Sequence, residues 1–229
     1  MTNIEKALGC VFPADKIRQS SLEHLARYSV LLKMKKGQHL FREREEIVTI
    51  YAVVKGNALL YKMNAMGEKK VIFVLGKGCF LNEEALQELP EPVSCEIMEE
   101  AEILAIPRMQ LLNLMEKDSR LMRFLFDSIS HKVRRLYRQL KNTTNATRGE
   151  KKMAAKLWKL ARDYGVREEG RTRIALRLTV TQLADMLGTK RETASRQLKV
   201  LVEHGLVYYE KNCFVVPDTD ALNQYFKEE

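Results

Sequence analysis

Residues 178–202, LTVTQLADMLGTKRETASRQLKVLV, restrict the fold of this chain more tightly than any other stretch. Leu178, Leu183, Met186 and Leu187 form one apolar block at helical spacing, and Ala194, Leu198, Leu201 and Val202 form a second. Between them lies Gly188, where a tight turn needs a residue tolerant of positive φ. Thr179 is placed to cap the first helix, with Gln182 positioned to reciprocate. Two short helices about a Gly-containing turn read as a helix-turn-helix, whose second helix enters the DNA major groove. The front of that helix reads Lys190, Arg191, Glu192, Thr193, Ser195, Arg196, donors and acceptors suited to base edges and phosphates. Glu192 and Arg196 share a helix face, so they can read bases or pair with each other. Thr189-x-x-Glu192 also fits a capping box, which would give Glu192 to the helix start alone. Thr179, Thr181, Gln182 and Lys211 are candidate phosphate contacts. Residues 205–216, GLVYYEKNCFVV, read as two short strands around a Lys211-Asn212 turn, a wing beside the helices.

Charge locates the anionic partner. The 229-residue chain carries a formal +9, but residues 1–119 are net −1, residues 120–147 net +6 and residues 148–229 net +4. The positive excess therefore lies in the half that holds the helix-turn-helix, an asymmetry that points to nucleic acid. Cys10, Cys79, Cys95 and Cys213 form no C-x-x-C, and no His stands at zinc-like spacing from them, so no metal site is expected. The start MTNIEKALGC lacks a signal-peptide core and no run reaches the length of a membrane span. A cytoplasmic protein with reduced thiols and no membrane partner is the expectation.

In chain order, residues 1–29 read as short helices, with Ile17, Leu22, Leu25 and Tyr28 on roughly one face. Residues 30–106 change character. Short apolar runs at 30–34, 38–41, 48–54, 58–63, 71–75, 93–98 and 103–106 are punctuated by Gly, and Asn64-Ala-Met-Gly67 reads as a hairpin turn. Many short strands of this kind argue for a sandwich or barrel. Residues 108–117 form a helix, and Asp118 or Ser119 can cap a second, longer one. On it Leu121, Leu125, Ile129, Val133, Leu136 and Leu140 read as one continuous stripe, able to pack on its own sheet or on a second copy. The face carrying Arg134, Arg135, Arg138 and Lys141 should stay wet. Residues 142–149 are polar and Gly-ended, a hinge. A helix at 150–165 ended by Gly165, a strand at 173–178 and a last helix at 219–226 complete the chain.

The string TVTQLADMLGTKRETASRQLKVLVEHGLV closely resembles the winged helix-turn-helix of the CRP/FNR family of bacterial transcription regulators. Recognition helices there carry E-x-x-S-R or R-E-T-x-x-R, and this chain has both, as Glu192-x-x-Ser195-Arg196 and Arg191-Glu192-Thr193-x-x-Arg196. The order of roll, long helix and helix-turn-helix extends the resemblance over about residues 15 to 226. It implies an α+β fold: a cyclic-nucleotide-binding-like β-roll (jelly roll) at 1–118, a dimerisation helix at 119–145 and a winged helix-turn-helix at 146–229. It further implies a homodimer on a palindromic DNA site, with RNA polymerase as a partner. Residues at the Glu192 and Arg196 positions read the TGA core of each half-site in the family. Ser195 matches the FNR-type discriminator and Arg191 the CRP-type one, so the outer bases stay open. Where the family has Ser or Thr at the helix start, this chain has Lys190, so either the cap comes one residue early or Lys190 takes a phosphate.

The resemblance also implies an effector site. Cyclic-AMP-binding relatives carry a cassette of G-E-x followed by R-S or R-T. Here the matching residues are Asn82, Glu83, Val93 and Ser94, and the adenine-contacting pair falls near Gln139-Leu140. Glu83 matches the ribose-binding Glu, but Val93 replaces the Arg that neutralises the phosphate. Burying a phosphate without a cation is costly, so cyclic AMP is not expected by the usual route. Only Cys10 lies near the N-terminus, so no iron-sulfur cluster is expected. His24, His39, His131 and His204 are nominal haem ligands. Cys79 and Cys95 are either a redox pair or two small hydrophobes. The effector stays unidentified, with ligand-independent action as an alternative. A degenerate nucleotide sensor without a DNA role, and an enzyme on a cupin-like barrel, are further readings; the second needs a metal cluster where the roll offers only His39.

Overall fold

The computed structural model describes residues 2–64, 67–143, 149–210 and 212–227, with only the backbone of 140–143. Lys211, the centre of the Asn64–Gly67 turn, the Leu140 and Lys141 side chains and most of the expected hinge lie outside the described set. The chain falls into two compact units, Met1–Lys62 with Ile72–Thr144, and Met63–Val71 with Asn145–Glu229.

The first unit is built on seven strands: β1 (Val30–Met34), β2 (His39–Phe41), β3 (Thr49–Lys55), β4 (Ala58–Met63), β5 (Lys69–Leu75), β6 (Ser94–Ile97) and β7 (Ala101–Pro107). They form two sheets, ordered β1-β7-β3 and β2-β6-β4-β5. The apolar runs at 30–34 and 58–63 fall on β1 and β4 residue for residue. Alternation in β3 and β7 decides which side each residue serves. Val53, Ala101 and Ile103 point into a core shared with Phe41, Leu60, Phe73, Leu75 and Ile97. Ile50, Ala52, Leu104 and Ile106 point the other way, beneath helices α1 (Asn3–Val11), α2 (Gln19–Tyr28) and α3 (Arg108–Met115). Both faces of these strands are buried, which explains why they read as near-continuous apolar runs.

Helix α4 (Ser119–Thr143) begins on Asp118, a fully buried carboxylate. Its Oδ1 accepts from the Arg120 and Leu121 amides, and its Oδ2 from the Arg18 amide at 2.8 Å and the Ser21 hydroxyl at 2.8 Å. Asp118 thus caps α4 and ties it to the start of α2. The expected single stripe on α4 divides. Leu121 and Leu125 are buried in the unit's own core, whereas Ile129, Val133 and Leu136 are exposed, together with Met122, Phe126 and Tyr137. Two heptad seams, offset by one residue, run along one helix. The inner seam is 121-125-128-132-135-139 and the outer 122-126-129-133-136, and a mixed 4-and-3 spacing read from one end crosses between them. The expectation that Arg135 faces water also fails: its guanidinium lies 4.7 Å over the Phe73 ring, because position 135 is on the inner seam.

The second unit packs α5 (Gly149–Tyr164), α6 (Val180–Leu187), α7 (Arg191–Glu203) and α8 (Thr219–Lys227) with a sheet whose strands run in the order β10 (Tyr208–Glu210), β11 (Cys213–Val216), β9 (Arg171–Ile174) and β8 (Gly165–Glu168). Met153, Leu157, Leu183, Ala194, Leu201 and Phe214 are among its buried side chains. Gly165 does end α5, but it also opens strand β8 (Gly165–Glu168), which turns through Glu169 and Gly170 into β9 (Arg171–Ile174). Both turn residues have positive φ, the type I′ geometry that suits a two-residue hairpin. The strand expected at 173–178 therefore lies earlier, and residues 175–178 lead into α6. A Cβ at position 165 would lie 2.0 Å from the Ala161 carbonyl oxygen, so the close passage of helix and strand requires Gly there. Strands β10 (Tyr208–Glu210) and β11 (Cys213–Val216) are the wing, paired antiparallel. Among the described residues, no helix is long and apolar enough to cross a membrane.

Candidate nucleic-acid interface and effector cassette

Helix α6 starts with a complete capping box: the Thr179 hydroxyl accepts from the Gln182 amide, and the Gln182 side chain accepts from the Thr179 amide. It ends at Gly188, in the left-handed conformation at φ 64°, and the Thr189 amide donates back to the Ala184 carbonyl at 3.1 Å. Helix α7 follows with Lys190 at its N-cap position, without a side-chain capping bond. The Thr189/Glu192 capping box considered from the sequence is therefore not formed, and the Glu192 carboxylate is not committed to the helix start. Arg191, Glu192, Ser195 and Arg196 are all exposed, whereas Ala194 between them is buried and anchors the helix. The Arg196 guanidinium leans back on the Thr193 hydroxyl at 3.5 Å. Thr179, Thr181 and Lys190 are also exposed, with Gln182 half-buried. Positions 191, 192, 195 and 196 thus project together from one face of one short helix.

On the wing sheet, cations are matched locally. Arg173 forms a forked pair with Glu168 at 2.7 Å, and this hydrogen bond, with a weaker one to Cys213, pushes its pKa further up. Arg171 bonds the Tyr208 hydroxyl at 2.6 Å and approaches Glu210 at 3.4 Å.

The cassette residues belong to the first unit. Asn82 is fully buried: its Oδ1 accepts from the Tyr51 amide, and its Nδ2 donates to the Thr49 carbonyl and to Glu91 Oε1 at 2.8 Å. Glu83 opens a 3₁₀ turn (Glu83–Gln87) and is 1% exposed. The Ser128 hydroxyl of α4 donates to its Oε1 at 2.5 Å, and the Lys132 ammonium of α4 pairs with its Oε2. Val93 packs against the core of the roll, and the Ser94 hydroxyl accepts from the Glu43 amide at 3.0 Å. Gln139 reaches β5, donating to the Ile72 carbonyl at 2.9 Å. The position given to a ribose-binding carboxylate is thus bonded from within by a Lys and a Ser.

Sequence reasoning missed Ser128, Lys132 and Glu91. The first two were detectable in principle, as polar residues on the inner seam after Leu125, but the partner Glu83 is 49 positions away from Lys132. Glu91 is 2% exposed, and its Oε2 is buried without a hydrogen-bond partner. Burial pushes its carboxyl up to about 7, reinforced by Glu84 and Glu45 and opposed by Asn82 and Lys132. The four cysteines are free thiols, and burial pushes Cys95 well up. Three of the nominal haem histidines have local partners: His24 bonds Gln110, His39 bonds Tyr61, and His204 bonds the Val200 carbonyl.

A strand-built unit carrying a long helix, followed along the chain by a winged helix-turn-helix, defines a two-domain DNA-binding regulator. Residues 31–118 match the cyclic nucleotide-binding domain and residues 151–225 the Crp-like helix-turn-helix domain. The chain belongs to the CRP/FNR family of transcription regulators. It is 22% identical over 215 residues to the CRP-like cAMP-activated global transcriptional regulator of Mycobacterium tuberculosis, covering 90% of this chain and 92% of that one. It is 22% identical over 191 residues to the fumarate and nitrate reduction regulatory protein of Escherichia coli, covering 83% and 76%. Its fold is similar to that of the c-di-GMP responsive global regulator CLP of Xanthomonas campestris, at a TM-score of 0.74 and 20% identity over 87% of this chain and 99% of that one.

Proposed function

We propose that the chain binds a palindromic DNA site as a homodimer, with α7 as recognition helix and α4 as dimer helix. The observation that carries this reading is the outer seam of α4, where Met122, Phe126, Ile129, Val133 and Leu136 stand exposed at heptad spacing. A second copy of the same seam would cover them and would pair two recognition helices by symmetry. Arg196 and Glu192 read the TGA-type core of each half-site, Arg196 on guanine and Glu192 on the cytosine amino group. Arg191 and Ser195 reach the outer bases, and Lys190, Thr179, Thr181 and Gln182 hold phosphates near the helix starts. The functional division follows residues 1–118 as sensor, 119–145 as dimer helix and 146–229 as DNA reader. The protein works in the cytoplasm, contacts RNA polymerase at promoters, and is not an enzyme.

Its effector is not cyclic AMP. Val93 offers no charge to a phosphate, and Glu83 is engaged by Lys132 and Ser128. A gel shift with a TGA-containing palindrome and with single half-sites tests the DNA reading. Tight binding of the palindrome alone is expected, and equal affinity for unrelated duplexes would sink it. Calorimetry with cyclic AMP should give no heat; micromolar binding would overturn that part.

A further inference from the structure

The cassette contains one buried acid that the nucleotide chemistry does not use. Glu91 lies eight residues beyond Glu83, in the loop between the 3₁₀ turn and β6. Its backbone is pinned on both sides, the amide donating to the Glu45 carbonyl and its carbonyl accepting from the Arg44 amide. Its Oε1 takes the Asn82 amide, which at the same time holds β3 through Thr49 and Tyr51. The next residue, Glu83, is bonded to Ser128 and Lys132 on the inner seam of α4. A chain of contacts therefore runs from one buried carboxyl through Asn82 and Glu83 to the helix whose other face is the outer seam.

We propose that the hydrogen ion is the signal this cassette reads, with Glu91 as receptor and the Asn82–Glu83–Lys132 chain as its link to α4. The inference rests on the regulator reading above and names its effector. The charges facing Glu91 are Glu84 on the 3₁₀ turn, Glu45 before β3 and Lys132 on α4, with the Tyr51 hydroxyl and the Cys95 thiol on the strands beside it. Lys132 already answers Glu83, and Glu84 Oε2 also approaches it at 3.9 Å. One cation thus faces several carboxylates. With Glu91 protonated, the buried set reduces to a matched Glu83–Lys132 pair. With Glu91 ionised, an unpartnered buried oxygen carries charge, and the segment is driven toward water or toward Lys132. Either move pulls on Asn82 and loosens the hold of Glu83 on α4. The acid state is the one that keeps α4 seated on the roll and the outer seam presented.

The test uses the full chain. Carbon-labelled Glu91 is titrated by NMR from about pH 5 to about pH 9, and amide exchange is followed over residues 82–94 and along α4, corrected for intrinsic rates. Glu91 should titrate near neutrality, and protection in both segments should fall about tenfold per pH unit as pH rises toward that point and level off above it. Glu91→Gln should hold both segments protected at all these pH values. Affinity for the palindrome should be about tenfold higher at about pH 6 than at about pH 8 in the wild type and level in the variant. Titration in the ordinary carboxylate range overturns the proposal. So does a cassette that loosens while α4 exchange stays constant, or a variant that keeps the wild-type pH response. If no DNA is bound at any pH, the regulator reading fails, while titration and exchange still decide this one.

Discussion

Arg196 on α7 and Lys190 at its N-cap ask for different measurements, one for base reading and one for phosphate contact. Arg196 is exposed and bonded weakly to the Thr193 hydroxyl at 3.5 Å, so it can extend to a guanine. Arg196→Ala should cost about 1–3 kcal/mol on the preferred site and blur discrimination at one base pair. Anisotropy titrations against every single-base variant of the half-site would show this, and a uniform loss across sequences would remove Arg196 from base reading. Lys190 contrasts with it. At the N-cap it has the helix start behind it and carries a point charge. Lys190→Ala should weaken all duplexes alike and lower the slope of affinity against salt by about 1. Legibility at this scale followed sequence distance. The Thr179/Gln182 capping box spans one helical turn and could be read directly, and it is present in the structure. The Glu83–Lys132 pair spans 49 positions, and nothing local marks it. Glu91 stands between Pro90 and Pro92 with nothing in the sequence to mark it as buried, because burial by a folded-back segment has no sequence period.

At the scale of elements, periodicity was informative wherever one face of an element is buried in one core. The two helices around Gly188 are of this kind, whereas β3 and β7, buried on both faces, show instead as near-continuous apolar runs. Helix α4 is not, because its buried face and its exposed apolar face lie one residue apart, and a single stripe drawn through Leu121, Leu125, Ile129 and Val133 mixes them. The division makes a prediction. Val133 is 38% exposed and lies on the outer seam, so Val133→Asp should leave the monomer folded. Burying two facing carboxylates in the seam of a dimer should raise its dissociation constant about 100-fold or more. Sedimentation measures that, and circular dichroism checks the fold. An unchanged dimer would move the interface elsewhere. The turn at Gly188 gives a second. A Cβ there meets nothing within 4 Å, so Gly188→Ala feels only the left-handed backbone, about 1 kcal/mol, seen as a small drop in the denaturation midpoint.

For the whole molecule, the dependence of stability on pH follows from two buried carboxyls acting in opposite senses. Asp118 is pushed up by burial but pulled down further by bonds from Arg18, Ser21, Leu121 and Arg120, so it ends below its ordinary value of 3.8. A depressed acid contributes stability that is complete above 3.8 and is lost as pH falls through its folded value. Glu91 is raised from 4.5 to about 7, so the folded state holds a proton there that the unfolded chain has released. A raised acid contributes stability that is complete below 4.5 and is lost as pH climbs through about 7. The loss amounts to about 3 kcal/mol at full titration. Together they place the stability maximum of the first unit on the acid side of neutrality, between the two limbs. Urea titrations across the range should show wild-type stability falling from about pH 5 to about pH 8. Glu91→Gln should flatten that limb and leave the acid limb intact, and Asp118→Asn should do the reverse while lowering stability above pH 4, since its amide cannot accept the same four bonds with full charge. If both variants keep the wild-type profile, groups other than Asp118 and Glu91 govern the acid and neutral limbs.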